Sequence, residues 1–267
     1  MNLKKIFVVS ASLLLFFGGA QAEIPSVKSL SSPPNRVLYV GNSFFYYNNS
    51  MHGHVREMVA DGAKDTKYNG VSVTISGSGL DWHDVASYLR PDGIGRYSFV
   101  AGNKVVFNPP QDKPFNAVVM MDCSQCPVHP TLSETFVKFA RSHSKTVRDR
   151  GGQPVFFMSW AYQDAPEMTD QLAVAYTKTA NENNALVIPA GLAFAQSSKS
   201  RPDINLYAKD KRHPSLEGTY LAAATTYVTL FGKRAADLKY TAGLPENVAQ
   251  HLRLVADEAV ARYLKPH

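Results

Sequence analysis

Apolar runs alternate with helical periods along most of the chain after residue 35. The runs typical of buried strands are 36–40, 71–75, 115–121, 154–159 and 185–188. They lack the apolar/polar alternation of a half-exposed strand, as expected when both faces of a sheet are covered. Strands that alternate with helices in this way predict a parallel sheet with helices on both faces.

The segments between these runs have helical spacing. Predicted helices cover 51–60, 81–89, a stretch from the Thr131–Glu134 capping box to Gly151–Gly152, a stretch after Asp164, a buried stretch after His213, and 244–264. Residues 97–107 carry β-forming side chains around an Ala-Gly-Asn turn. They predict a hairpin inserted between the core elements.

Ligands of parallel α/β sheets bind beyond the carboxyl ends of the strands, so the residues after each strand are candidates for a site. Ser43 follows the first strand directly. A serine hydroxyl is a weak nucleophile that needs a base within hydrogen-bond reach and a partner that orients the base. His213 is the candidate base, and Asp210, three residues earlier, is the candidate orienting acid.

Residues 1–22 have the pattern of an export signal. Two lysines precede an apolar run, 6–17, that is shorter than the roughly 20 residues of a membrane span. Ala20-Gln21-Ala22 then matches the small-x-small cleavage pattern. We expect this segment to be removed and the mature chain to be periplasmic or secreted. No later stretch predicts a membrane span.

The remaining sequence predicts a short lead-in and one domain. Residues 23–35 are rich in serine and proline and predict an extended segment, and residues 36–267 predict one α/β domain. The net charge is +6 for the whole chain and +4 without residues 1–22. Because the basic residues are not clustered, nucleic acid is not expected as a partner. The sequence does not define an oligomeric state.

The order of these motifs resembles the SGNH, or GDSL-type, hydrolases over roughly residues 36–230. The resemblance rests on Gly41-Asn42-Ser43, the glycine-rich turn 76–79, the polar end of the third strand and the Asp-x-x-His-Pro motif at 210–214. The chain is most similar to a divergent branch with Gly-Asn-Ser-Phe and a His-Pro-Ser ending. The resemblance implies a flavodoxin-like three-layer α/β/α sandwich, a mostly parallel five-stranded sheet, and chemistry without a metal or organic cofactor.

The resemblance also implies the roles of individual residues. Ser43 would attack an ester carbonyl, His213 would act as the general base, and Asp210 would orient it. The backbone N–H groups of Ser43 and Gly77 would bind the oxyanion, with Gly79 as the other candidate glycine.

The third block departs from the family pattern Gly-x-Asn-Asp. Residues 122–125 read Asp-Cys-Ser-Gln, so the expected asparagine donor is absent and Ser124 or Gln125 is the candidate replacement. We expect Cys123 and Cys126 to form a disulfide that stiffens this loop. A thioredoxin-like redox pair is the alternative interpretation.

Other side chains near these motifs have two interpretations each. Phe44 and Trp160 would form pocket walls for the substrate or pack in the core. His83 would line the pocket or cap a helix. His52 and His54 form a His-x-His pair, but without a third ligand nearby a helix start is favoured over a metal site.

These features together predict an exported serine esterase. The expected substrates are carboxylic esters, such as O-acetyl groups on glycans or short acyl esters. The alternative is an SGNH-fold binding protein that retains the pocket and has little or no catalytic activity, because the third block lacks its asparagine.

Overall fold

The computed structural model describes residues 23–95, 97–107, 109 and 115–265. The predicted signal peptide lies outside the described residues and stays a prediction. The strands are β1 (Arg36–Gly41), β2 (Asn69–Thr74), β3 (Tyr97–Val100), β4 (Lys104–Phe107), β5 (Ala117–Met120), β6 (Gln153–Phe157) and β7 (Leu186–Ile188). Five of them form one parallel sheet in the order β2-β1-β5-β6-β7, and β3 and β4 form the separate hairpin. The predicted fold class is confirmed.

The helices cover both faces of this sheet. They are α1 (Ser43–Tyr46), α2 (Met51–Gly62), α3 (Val85–Tyr88), α4 (Ser133–Asp149), α5 (Met168–Glu182), α6 (Ala190–Ser200), α7 (Leu216–Phe231) and α8 (Glu246–Leu264). The sequence did not predict α6. Within the described residues, no helix has both the length and the apolarity needed to cross a bilayer.

Alternate side chains of β1 enter two separate cores. Val37 and Tyr39 pack with α2, α6, α7 and α8 on one face, whereas Leu38 and Val40 pack with α3, α4 and α5 on the other. All four side chains are completely buried. Burial of such side chains contributes roughly 1.5–3 kcal/mol each, which explains why β1 has no polar face.

The register of the sheet brings several strand ends to one edge. Gly41 pairs with Thr74 of β2, and Val40 pairs with Met120 of β5. The loops that follow β1, β2 and β5 therefore begin side by side at the carboxyl edge.

The predicted capping box of α4 is wrong. The helix begins at Ser133, and its cap residue, Leu132, makes no side-chain hydrogen bond. The Thr131 hydroxyl instead lies 3.1 Å from His129 Nδ1. Because the helix begins at Ser133, the cap position falls on Leu132, one residue after the predicted Thr131.

Candidate active site

The turn after β1 places Ser43 at the carboxyl edge of the sheet. Phe45 packs so closely over Gly41 that a Cβ atom there would lie 2.8 Å from its ring. Asn42 caps α1, because its side-chain oxygen accepts a hydrogen bond from the Phe44 N–H at 3.2 Å. The Asn42 amide also donates to the carbonyls of Ser78 and Asp122, at 2.9 and 3.2 Å. One side chain thus ties together the loops after β1, β2 and β5.

The structure brings the three predicted triad residues together. Ser43 Oγ lies 2.8 Å from His213 Nε2, and His213 Nδ1 lies 2.5 Å from Asp210 Oδ2. The other Asp210 oxygen accepts the backbone N–H groups of Arg212 and His213, both at 3.0 Å. Desolvation raises the pKa of Asp210, but the hydrogen bonds from His213 and the two N–H groups outweigh it and lower that pKa to about 2. Asp210 is therefore ionised at neutral pH.

Two aromatic side chains, Phe44 in α1 and Tyr47 directly after it, hold the His213 imidazole. Tyr47 stacks on it with ring centroids 4.3 Å apart and planes at 7°. Phe44 meets it edge-on at 5.5 Å. The sequence singled out Phe44 but did not predict that Tyr47 contacts the base.

Trp160 supports the histidine loop from inside the protein. It is completely buried and stacks between Phe44 and Phe194, with centroid distances of 4.7 and 4.1 Å. Its indole N–H donates to the Arg212 carbonyl at 2.9 Å. The structure therefore does not place Trp160 where a substrate would touch it. Because Phe44 is 5% exposed, it too is mainly a packing residue.

His83 also lies beneath the site rather than in a pocket wall. It is 3% exposed, and its Nε2 atom lies 3.1 Å from the Gly41 carbonyl and 3.0 Å from the Ser78 hydroxyl. Burial lowers the pKa of His83, so the neutral imidazole is favoured. Its side-chain contacts brace the bend that presents Ser43. Its backbone N–H donates to the Leu80 carbonyl at 3.2 Å and ends the 3-10 helix Leu80–Trp82, so the predicted helix cap is confirmed and the pocket wall is not.

The two candidate oxyanion glycines differ in accessibility. Gly77 is exposed, adopts a left-handed conformation (φ +72°), and has no heavy atom within 4 Å of a Cβ position. Gly79 is buried, and a Cβ there would lie 2.6 Å from an oxygen of Asp122. Of the two, Gly77 is the one that an incoming substrate can reach.

The loop after β5 is built around a disulfide and a hydroxyl pair. Cys123 and Cys126 are joined, which leaves no free thiol in the described residues. The Ser124 hydroxyl lies 2.7 Å from the Tyr162 hydroxyl, whereas the Gln125 side chain is exposed. This loop presents the Ser124 hydroxyl and the exposed Gln125 amide, and it has no asparagine.

Asp122 is a buried acid at the start of this loop. Burial raises the pKa of its carboxyl to about 6, although hydrogen bonds from the N–H groups of Cys123 and Leu80 act in the opposite direction. Those N–H groups lie 2.7 and 2.9 Å from Oδ1. Asp122 therefore joins the loop after β5 to the loop after β2.

Comparison with known proteins shows the fold. No family model and no curated protein matches the chain. A candidate SGNH hydrolase from Slackia heliotrinireducens matches with a TM-score of 0.55 and 21% identity over 76% of this chain and 99% of its own. A DUF4886 family protein from Bacteroides uniformis matches with a TM-score of 0.59 and 16% identity over 87% and 96%. A catalytic mutant of Axe2, an acetylxylan esterase from Geobacillus stearothermophilus, matches with a TM-score of 0.53 and 14% identity over 76% and 96%. The chain has the fold of these proteins.

Proposed function

We propose that this chain is an ester hydrolase of the SGNH type that uses Ser43 as its nucleophile. The observation that supports this most is the continuous chain of hydrogen bonds from Ser43 Oγ through the His213 imidazole to Asp210. A hydroxyl, an imidazole and an ionised carboxylate in this order are the parts of a serine hydrolase triad.

The acylation step follows from this geometry. Ser43 Oγ attacks the ester carbonyl while His213 Nε2 takes its proton. Asp210 accepts the Nδ1–H hydrogen bond, which fixes the tautomer and stabilises the imidazolium. His213 then returns the proton to the oxygen of the departing alcohol and leaves an acyl group on Ser43. Tyr47 and Phe44 hold the ring in this position throughout.

The negative charge of the tetrahedral intermediate needs hydrogen-bond donors. The backbone N–H groups of Ser43 and Gly77 are the proposed donors, and the Ser124 hydroxyl is the proposed third one. Removing a single donor of this kind typically lowers kcat by about 10²–10³-fold. Water then attacks the acyl group while His213 takes a proton from it, and His213 returns that proton to Ser43 Oγ as the acyl–Oγ bond breaks and the acid leaves.

The proposed substrates are O-acetyl groups on glycans or short acyl esters. The His213 side chain, which would deliver the proton to the alcohol, is 25% exposed, so the leaving group can reach it from solvent. The similarity in fold to an acetylxylan esterase supports a glycan ester. The export pattern of residues 1–22 supports action in the periplasm or outside the cell.

Hydrolysis of p-nitrophenyl acetate by purified wild type and by Ser43→Ala tests the proposal. We expect wild-type turnover and a loss of at least about 10³-fold in the variant. Ser198→Ala, which removes an exposed hydroxyl on α6, is the matched control and should keep wild-type activity. Equal rates in wild type and Ser43→Ala would refute the proposal.

The second candidate function is a binding protein with the same fold and no turnover. The absence of an asparagine from the third block favours it, because the Ser124 hydroxyl is already paired with Tyr162. This candidate predicts that wild type and Ser43→Ala bind the same ligand and that neither hydrolyses an ester.

A further inference from the structure

A cleft of about 750 Å³ with polar and apolar lining opens next to the loop that carries His213, since Leu216, three residues after His213, is part of its lining. One wall consists of Asn48 and Asn49, which follow α1, and the opposite wall consists of residues 239–243, which lie between α7 and α8. We call this space the side cleft. None of the sequence motifs predicted it, because its walls are almost 200 residues apart in the chain.

The side cleft has a fixed floor and walls. His54 is 7% exposed and bridges the walls, because its Nε2–H donates to the Asn48 carbonyl and its Nδ1 accepts from the Tyr240 hydroxyl, both at 2.8 Å. The Tyr240 backbone is held on both sides, by Asp61 at its N–H (2.9 Å) and by the Tyr220 hydroxyl at its carbonyl (2.6 Å). The cleft therefore keeps its shape without a ligand.

Both walls contain backbone that non-glycine residues rarely adopt. Asn48, Asn49 and Ser50 have φ values of 51°, 68° and 69°, and Ala242 on the opposite wall has φ 55°. Each such residue costs of order 1–3 kcal/mol and tends to persist where function requires it. The hydrogen bonds of Asn48 offset part of this cost, and the exposed Asn49 is part of the cleft lining.

The side cleft adjoins the base rather than the oxyanion side of the triad. The Asn48 amide donates to the carbonyl of Pro214, the residue after His213, at 2.9 Å. Tyr47, the residue before Asn48, stacks on the imidazole. Because His213 delivers its proton to the leaving oxygen, the alcohol half of the ester must lie on this side of the scissile bond.

The chemistry of the side cleft matches a polyhydroxylated alcohol. Asn49 and Lys239 supply exposed hydrogen-bond donors, Thr241 supplies a hydroxyl, and Tyr240 supplies a ring. Among the described residues, the Lys239 ammonium forms no ion pair. We propose that the side cleft binds a sugar residue that carries the ester, and that Lys239 favours a sugar with an anionic group. This inference rests on the proposed esterase function and names its leaving group.

The test compares esters of one acid with different alcohols. The substrates are ethyl acetate, partly O-acetylated xylotetraose and partly O-acetylated tetragalacturonate. We expect kcat/KM for at least one oligosaccharide to exceed that for ethyl acetate by at least about tenfold. The double variant Asn49→Ala/Lys239→Ala should lower this ratio by at least about tenfold, mainly through KM, because it removes two donors to the sugar. Lys239→Ala alone should affect the galacturonate more than the xylotetraose.

Lys199→Ala is the matched control, since it removes an exposed lysine on α6 and should leave the ratio unchanged. Calorimetric binding of both oligosaccharides to Ser43→Ala separates this inference from the proposed function. Ser43-dependent hydrolysis of all three esters without a preference for sugars, or an unchanged ratio in the double variant, would overturn the side cleft inference alone. Sugar binding that the Asn49 and Lys239 substitutions abolish, in a wild type that hydrolyses nothing, would support the sugar site and refute the esterase.

Discussion

The loops after β1 and β5 lie side by side at the carboxyl edge, yet they are built in different ways. The loop after β1 has what a serine nucleophile needs, namely a tight bend, a capping asparagine and a hydroxyl aimed at His213. The loop after β5 has a disulfide, a buried acid and a serine hydroxyl bonded to Tyr162.

This difference separates two requirements of the proposed reaction, namely proton transfer from the nucleophile to its base and binding of the oxyanion. A nucleophile and its base need one geometry, because a proton passes between two particular atoms. An oxyanion accepts hydrogen bonds from any donor that points at it, so hydroxyl and amide groups can replace one another. The β5 loop is therefore the part of the site where sequence can change most while the triad stays intact.

Asp210→Asn gives the largest expected effect after loss of the nucleophile and tests the geometry of Ser43 and its base, the first side of the comparison. The amide would present a donor to His213 Nδ1 and favour the wrong tautomer, so kcat should fall by about 10³–10⁴-fold. Steady-state hydrolysis of p-nitrophenyl acetate measures this. Asp203→Asn, a change at an exposed acid in the same segment, should keep full activity. A loss of less than tenfold for Asp210→Asn would remove the triad from the mechanism.

Ser124→Ala tests the loop after β5, the second side of the comparison. If its hydroxyl is the third oxyanion donor, kcat should fall by about 10²–10³-fold with little change in KM, because the interaction forms only in the transition state. Gln125→Ala tests the other candidate in the same assay. A loss confined to Gln125→Ala would transfer the role to that amide, and full activity in both variants would remove this loop from the oxyanion hole.

Asp122→Asn tests whether burial raises the pKa of the acid at the start of the β5 loop. The folded carboxyl has a pKa of about 6, above its ordinary value of 3.8, so folding takes up a proton between these pH values. The contribution of Asp122 to the free energy of unfolding of the wild type therefore falls as the pH rises from 3.8 to about 6, by about 2–3 kcal/mol in total. The amide oxygen of the variant can accept the same N–H groups without this loss.

Urea unfolding at pH 3.5, 5 and 7 measures that difference. The variant should gain stability relative to wild type as the pH rises, and Asp65→Asn, a change at an exposed acid, should show no such trend. A difference in the free energy of unfolding between variant and wild type that stays constant across the three pH values would mean that burial does not raise the pKa of Asp122.

The parts of the site that could be predicted are those set by strand ends and by short motifs. Ser43 follows a buried strand and the Asp-x-x-His spacing of residues 210–213 folds back on itself, so the meeting of Ser43, His213 and Asp210 could be predicted from these motifs. For Trp160 the sequence left a pocket wall and core packing open, and for His83 a pocket wall and a helix cap; both side chains are buried. Whether such a side chain faces solvent or the interior depends on packing partners far along the chain, such as Phe194 for Trp160.

Helix α6 and the side cleft could not be predicted from the sequence either. Helix α6 contains several serines and small residues and has a weak apolar period, so its pattern did not distinguish it from a loop. The side cleft joins residues 48–49 to residues 239–243 through His54, and no local signal connects those segments. Left-handed backbone at two adjacent asparagines is a local hint of such a site, because asparagine tolerates that conformation better than most residues.

Labelling with a fluorophosphonate probe followed by peptide mass spectrometry tests the central claim most directly. A nucleophile activated by a base reacts with this probe, whereas an ordinary surface serine does not. The triad predicts one adduct, on the peptide that contains Ser43, and no adduct in Ser43→Ala or His213→Ala. An unlabelled wild type, or an adduct on a different residue, would contradict the assignment of Ser43 as the nucleophile.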